Sequence, residues 1–239
     1  MTNTDATWAS TFRSTEFQRD LAELNRCLLN ALQEHGISNP VLTGNLMYKH
    51  LQPDFCKASP DETSEEKRER LFLAAQRVPS DGACIEIGLN GGHSALILLW
   101  ANPTLKVTAI DLCQHLSKDW GRVDIYVPAA AQWLKSRFGD RFTFIKGSSY
   151  DAVPTLANTK EANSVQMMHI DGAKETYRKD FLNALPMLCK RSTIVFDDYN
   201  MPTVKKQVQH LIDAQLLQFH PEFEKEYDSA HTNAVCATL

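Results

Sequence analysis

The sequence predicts an α/β protein: a doubly wound, mostly parallel seven-stranded sheet with an antiparallel C-terminal hairpin, preceded by an N-terminal helical extension. Three observations carry this expectation. From residue 84 onward short β-rich runs alternate with helical patterns, and parallel neighbours need such crossovers. The last two β-rich runs have no helix between them, which suits a hairpin at a sheet edge. Before residue 80 the apolar spacing is helical only.

The elements follow in order. Phe17, Leu21, Leu24, Leu28 and Leu32 recur every three or four positions, one face of a helix running from a Ser14 cap to a Gly36 stop. Residues 39–59 are irregular. Thr63 and Glu66 then have the spacing of a capping box, opening a charged helix that turns apolar at Leu71, Phe72, Leu73, Ala74 and Ala75. Residues 1–80 are therefore expected to be a helical cap packed on 81–239, the sheet-bearing core of what is a single domain overall. Within that core the β-rich runs are 84–88, 106–112, 142–146, 165–170 and 193–196, each short enough for a buried parallel strand. Helical patterns occupy 94–101, 128–138, 174–188 and 204–217, and the closing strands are expected at 222–227 and 233–238.

Composition narrows the function classes. The 239 residues carry 25 basic and 29 acidic side chains, and a surface with that mild acidic surplus is not built to neutralise many phosphates. Apolar residues make up 43% of the chain, enough to bury a core, so disordered and fibrous classes are excluded. The six cysteines form no C-x-x-C pair and read as reduced thiols of a cytoplasmic protein. The first residues lack the pattern of a secretory signal, and the longest nearly unbroken apolar run, 95–101, is far short of the roughly 20 residues a membrane span needs. The partners expected are a small-molecule acceptor and a second copy of the chain through the N-terminal helices, with neither nucleic acid nor membrane.

Ligands of such sheets bind beyond the carboxyl ends of the strands. The first strand ends in Glu86-Ile87-Gly88-Leu89-Asn90-Gly91-Gly92-His93-Ser94, where small residues let the backbone turn tightly and a ligand approach. The dinucleotide spacing G-x-G-x-x-G is absent, and Glu86 suits an ammonium or sulfonium better than a pyrophosphate. The second strand ends in Asp111, placed to accept from a ribose diol. The third ends in Gly147-Ser148-Ser149-Tyr150-Asp151, small and polar groups able to meet a base edge.

These segments resemble the class I S-adenosylmethionine-dependent methyltransferases, with E-x-G-x-x-x-G-x-S at 86–94, the acid Asp111, and G-[AS]-S-x-D at 147–151. Within that superfamily the sequence is most similar to the small catechol and caffeoyl-CoA type O-methyltransferases. Their fourth strand ends in Asp with Lys three residues on, matched by Asp171 and Lys174. Their fifth ends in Asp-Asn, where this chain has Asp197-Asp198, as in related bacterial small-molecule and sugar O-methyltransferases. The resemblance implies a Rossmann-like fold and S-adenosylmethionine held by Glu86, Gly88, Asn90, Gly91, Gly92, Ser94, Asp111, Ser148, Ser149, Tyr150 and Asp171.

The residues also speak for themselves. Asp171, Asp197 and Asp198 end two strands that should be neighbours, and like charges that close are costly unless a cation neutralises them. All-oxygen ligation suits a hard divalent ion, Mg²⁺ above all, whereas the eight histidines offer no H-x-x-x-H pair for zinc. Lys174 would lie one turn from that ion and serve as general base for a hydroxyl. The expected activity is methyl transfer to a hydroxyl of a small molecule with vicinal oxygens, catechol-like or a sugar diol. Two alternatives stay open: a methyltransferase-fold binding protein without catalysis, and a metal-independent N- or carboxyl-methyltransferase.

Overall fold

The computed structural model describes residues 7–48, 52–115, 120–223 and 233–239. One seven-stranded sheet organises them, in the order β3-β2-β1-β4-β5-β7-β6. The strands are β1 (Ala83–Ile87), β2 (Lys106–Asp111), β3 (Phe142–Lys146), β4 (Val165–Ile170), β5 (Leu188–Phe196), β6 (Leu217–Phe219) and β7 (Ala234–Thr238). The first five are parallel; β7 runs antiparallel between β5 and β6. The order reverses between β1 and β4, and there the carboxyl ends open a crevice.

Alternation along the strands feeds two cores. Cys84, Val107, Ala109, Met167, Val195 and Val235 face the layer that contains α4 (His93–Ala101) and α5 (Val123–Phe138). Ile85, Ile87, Ile110, Met168, Ile170 and Ile194 face α6 (Ser149–Thr159), α7 (Tyr177–Ala184) and α8 (Pro202–Asp213). The N-terminal helices α1 (Trp8–Phe12), α2 (Thr15–Glu34) and α3 (Glu65–Gln76) extend the first layer, α2 against α5 and α3 against α4. The apolar stripe from Phe17 to Leu32 is the buried face of α2, and Ser14 caps it by accepting from the Phe17 amide. Asp20, also on that face, is buried but satisfied by Arg137 of α5 at 2.9 Å and by the Trp100 indole N–H at 3.1 Å.

Several boundaries differ from the sequence expectation. The Thr63–Glu66 capping box does not form; Asp61 instead accepts from the Thr63 amide and hydroxyl, and a short 3₁₀ turn leads into α3. Helix α5 begins five residues before Pro128, with an Arg122–Asp124 ion pair across its start; Pro128 lies in the second turn and has no N–H to give the Asp124 carbonyl. Helix α6 has no counterpart among the expected helical patterns, because Pro154 and a mixed composition hide its period. Helix α7 is shorter than expected and ends in a 3₁₀ turn around Pro186. The penultimate strand is Leu217–Phe219 rather than 222–227; Pro221–Phe223 form a 3₁₀ turn, and 224–227 lie outside the described residues. All six cysteines are free. Among the described residues no helix is long and apolar enough to cross a membrane.

Candidate active site

Two groups of side chains meet at the crevice. The first is built around the turn after β1. Gly88 has φ +91°, and a Cβ there would run into the carbonyl oxygen of Asp171, so only glycine lets the β1 and β4 ends close together. Asp171 N donates to Ile87 O at 2.8 Å and Gly88 N to Ile110 O at 2.9 Å, fastening three strand ends. Gly92, with φ +79°, is the residue before α4, and a Cβ on it would press to 2.9 Å from Leu134 Cδ1. Gly91 and Ser94 belong to the same turn and first helical residues, Ser94 buried.

Asp111 shapes this turn. Its Oδ2 accepts from the amides of Leu89 and Asn90 at 2.9 and 3.0 Å, and Oδ1 from Cys113 N at 2.7 Å. Each carboxylate oxygen keeps a further lone pair, so accepting from a ribose diol is compatible with this role. Asn90, expected to shape the methionine side, spends its amide donors on Thr43 O (2.7 Å) and Gly44 O (2.8 Å), holding the 42–48 segment over the turn. His93 reaches the same cover: Nε2 lies 2.9 Å from Asn25 Oδ1, and Asn25 Nδ2 donates to the Tyr48 hydroxyl at 2.5 Å. Burial pushes His93 down to about 3, so it is neutral.

Glu86 lies within the sheet, one residue short of the strand end. Its Oε1 pairs with His169 Nδ1 across the β1–β4 register at 3.1 Å. Burial opposes the charged imidazole of His169, but the Glu86 carboxylate outweighs it and raises the histidine. Glu86 Oε2 and Asn90 Oδ1 are buried with no hydrogen-bond partner among the described residues. Two orphaned acceptors beside the turn fit a ligand with donor groups, such as an amino-acid ammonium. At the β3 end Ser148 caps α6 through the Tyr150 amide at 3.2 Å, and Ser149 hydrogen-bonds Asp180. Tyr150 is 55% exposed, with the Lys179 ammonium 3.2 Å from its ring centre. Gly147 N donates to Asp111 O at 2.9 Å, which sets this rim beside the ribose candidate.

The second group is charged. Asp171, Asp197 and Asp198 each offer an oxygen within 4.8 Å of the others, so the expected convergence is present. Asp198 has φ +48°, a left-handed conformation that turns its carboxylate into the cluster and that Asp tolerates better than most residues. Lys174 Nζ lies 2.7 Å from Asp171, 3.0 Å from Asp198 and 2.8 Å from the buried Tyr177 hydroxyl. Lys67, from α3, lies 2.9 Å from Asp197 and 2.7 Å from Asp198.

Burial alone would lower both lysines, but the surrounding carboxylates outweigh it and raise both, so both are ammonium ions. Burial pushes Asp171 up to about 7, Asp197 and Asp198 adding to it and Lys174 opposing. Burial works the same way on Asp198, but Lys174 and Lys67 overcome it and hold that carboxyl well below the usual range. Three carboxylates against two ammoniums leave one formal negative charge. The donor set has the chemistry of a hard-cation site, yet Lys67 already stands against two of its three members. With Lys67 in place these residues do not fit a resident divalent ion.

Lys67 is the functional candidate that sequence reasoning missed. It stands in Glu65-Glu66-Lys67-Arg68-Glu69-Arg70, which reads as a solvated helix face, although Lys67, Arg68 and Arg70 are all buried. The one available signal was the unbalanced acid cluster itself.

Comparisons with known proteins agree with the fold. Residues 85–199 match the family model described as a methyltransferase domain. No curated protein matches the chain in sequence. The fold is similar to that of cofactor-bound Rv0187 from MTB, at 16% identity and TM-score 0.61, covering 92% of this chain and 89% of that one. It is also similar to an O-methyltransferase from Bacillus cereus in complex with SAH, at 13% identity, TM-score 0.55 and 90% coverage of both chains. A third likeness is TomG from Streptomyces achromogenes, an O-methyltransferase involved in tomaymycin synthesis and solved with SAM, at 18% identity and TM-score 0.55, covering 90% and 88%. At such identities the likeness is one of fold.

Proposed function

We propose that the chain, whose residues 85–199 match a methyltransferase domain and whose fold is that of S-adenosylmethionine-dependent methyltransferases, methylates a hydroxyl of a small molecule bearing vicinal oxygens. The observation that carries this is the contact between the two groups: Gly88, in the cofactor turn, packs on the backbone of Asp171, in the charged cluster. A donor held at the turn and an acceptor held at the cluster would therefore be neighbours.

In this reading S-adenosylmethionine supplies an electrophilic methyl group when bound. Glu86 Oε2 and Asn90 Oδ1 accept from its donor groups, Gly88, Gly91, Gly92 and Ser94 form the turn beside it, Asp111 accepts from the ribose, and Ser148, Ser149 and Tyr150 border the base. At the other end Lys174 is an ammonium whose three donors face Asp171, Asp198 and the Tyr177 hydroxyl; redirecting one of them to the acceptor oxygen stabilises the negative charge that develops there. The hydroxyl proton passes to a carboxylate oxygen of Asp171, so the base role expected of Lys174 moves to its partner 2.7 Å away. Holding both reactants in line is the main gain, because one displacement needs no covalent enzyme intermediate. The positive charge that the sequence assigned to Mg²⁺ at Asp171, Asp197 and Asp198 is carried here by Lys67 and Lys174.

Calorimetry with S-adenosylhomocysteine and a methyl-transfer assay on a panel of catechols and sugar diols test this. Micromolar binding and transfer to one diol class are expected. No binding at high micromolar concentration would sink the cofactor assignment, and binding without transfer to any hydroxyl would favour a non-catalytic role.

A further inference from the structure

Three carboxylates gather at the ends of β4 and β5, and a cation among them comes from 130 residues away in the chain. Lys67 is the third residue of α3, and its side chain is only 7% exposed. That turn of helix is fixed by separate bonds. The Lys67 carbonyl accepts from Asn233 Nδ2 at 3.2 Å, Arg68 donates to Leu46 O at 3.0 Å, and Arg70 donates to Asn233 O at 3.1 Å. The ammonium is therefore delivered by a rigid element, not by a side chain folding in from the surface.

Its partners depend on it. Among the described residues Lys67 is the sole hydrogen-bond donor to the buried Asp197 side chain, reaching Oδ2 while Oδ1 has no other partner. A buried carboxylate alone and a buried ammonium alone are each strongly disfavoured, so the pair stands or falls together. Asp198, turned inward by its left-handed backbone, accepts from Lys67 on Oδ1 and lies against Lys174 through Oδ2. Both of its oxygens thus already face positive charge. A divalent ion joining Lys67 and Lys174 would make the cluster net positive in a mostly buried site, and it would have to displace the Lys67 ammonium to reach Asp197.

We propose that Lys67 is the resident cation of the acceptor site: its ammonium holds the position between Asp197 and Asp198 that the acid cluster would otherwise offer to a divalent ion, and the site works without one. The proposal rests on the methyltransferase reading for what the site does. Lys67 acts through Asp197 and Asp198 and is a positioning residue.

The test uses the full chain, first treated with chelator. Mn²⁺ uptake is followed by electron paramagnetic resonance, with S-adenosylhomocysteine calorimetry on the same samples, for wild type, Lys67→Ala and Lys67→Ala combined with Asp198→Asn. Wild type should leave the free Mn²⁺ signal unchanged at equimolar protein. Lys67→Ala should bind about one Mn²⁺ at least tenfold more tightly than wild type, and Asp198→Asn should abolish that gain, which a merely structural lysine would not produce. Stoichiometric Mn²⁺ uptake by wild type overturns the proposal, as does a folded Lys67 variant that gains no Mn²⁺. Should Lys67→Ala fail to fold, Lys67→Gln, which keeps most of the stem, takes its place; if neither folds, the wild-type result decides. Absence of S-adenosylhomocysteine binding by wild type would instead count against the methyltransferase reading, whatever Mn²⁺ does.

Discussion

The two halves of the crevice are built on opposite principles. The half at β1 and β2 is a turn held by backbone amides on one carboxylate, Asp111, with glycines at 88, 91 and 92 where neighbouring atoms come too close for a Cβ. The half at β4 and β5 is packed with full charges, three carboxylates and two ammoniums, joined from three separate segments of the chain. The first needs shape and contributes few formal charges; the second needs its charges balanced. Both halves draw on the N-terminal segment, but the first takes from it neutral hydrogen-bond partners for Asn90 and His93, whereas the second takes a full charge, Lys67.

The contrast can be broken most forcefully at Lys67. Replacing it by Ala leaves Asp197 buried without its donor and should cost about 3–5 kcal/mol in urea unfolding. Adding Asp197→Asn should recover much of that loss; if the double variant is no more stable than the single, the pairing energy has been misplaced. Next comes Gly88→Ala, which meets both a φ of +91° and the Asp171 carbonyl and should cost roughly 2–4 kcal/mol by the same measurement. A neutral result there would mean that the β1 and β4 ends are not as close as described.

Asp111→Ala removes the acceptor of three amides, so the turn should loosen. S-adenosylhomocysteine affinity should fall at least about tenfold, the equivalent of one charged hydrogen bond of about 1.5 kcal/mol, as read by calorimetry. His93 sharpens the comparison through pH. Its folded value of about 3 lies below the ordinary 6.5, so the unfolded chain takes up the proton first. Stability is lost as pH falls from 6.5 toward 3, at up to about 1.4 kcal/mol per pH unit from this group. His93→Asn should flatten that acid limb, and an unchanged slope would place the lost protons elsewhere. The smallest effect is expected at Tyr150→Ala, exposed and touching Lys179, where stability should change by about 1 kcal/mol or less.

Much of this could be read from the chain before folding. The parallel strands β1 to β4 lie close to their expected positions because short apolar β-rich runs bounded by turns carry their own signal. The carboxyl-end residues Gly88, Asp111, Asp171, Asp197 and Asp198 were legible because strand ends are where open α/β sheets place their chemistry. Helix α6 was not, since Pro154 interrupts its pattern, and β6 was misplaced because three residues carry too little periodicity to be located. Asn90 and Glu86 stand at and just before the turn, as their sequence positions imply, but their partners, Thr43, Gly44 and His169, follow from packing that no local window contains.

By itself, then, the sequence determined an alternating sheet and the chemical groups at its open edge, because those are written in local periodicity and in residues adjacent along the chain. Only the tertiary structure decided what neutralises the acids. Lys67 and Asp197 are 130 positions apart, and the helix that carries the lysine looks solvated in one dimension. Burial in three dimensions makes its charge partner obligatory, because a desolvated ammonium must find a carboxylate, and this one finds two.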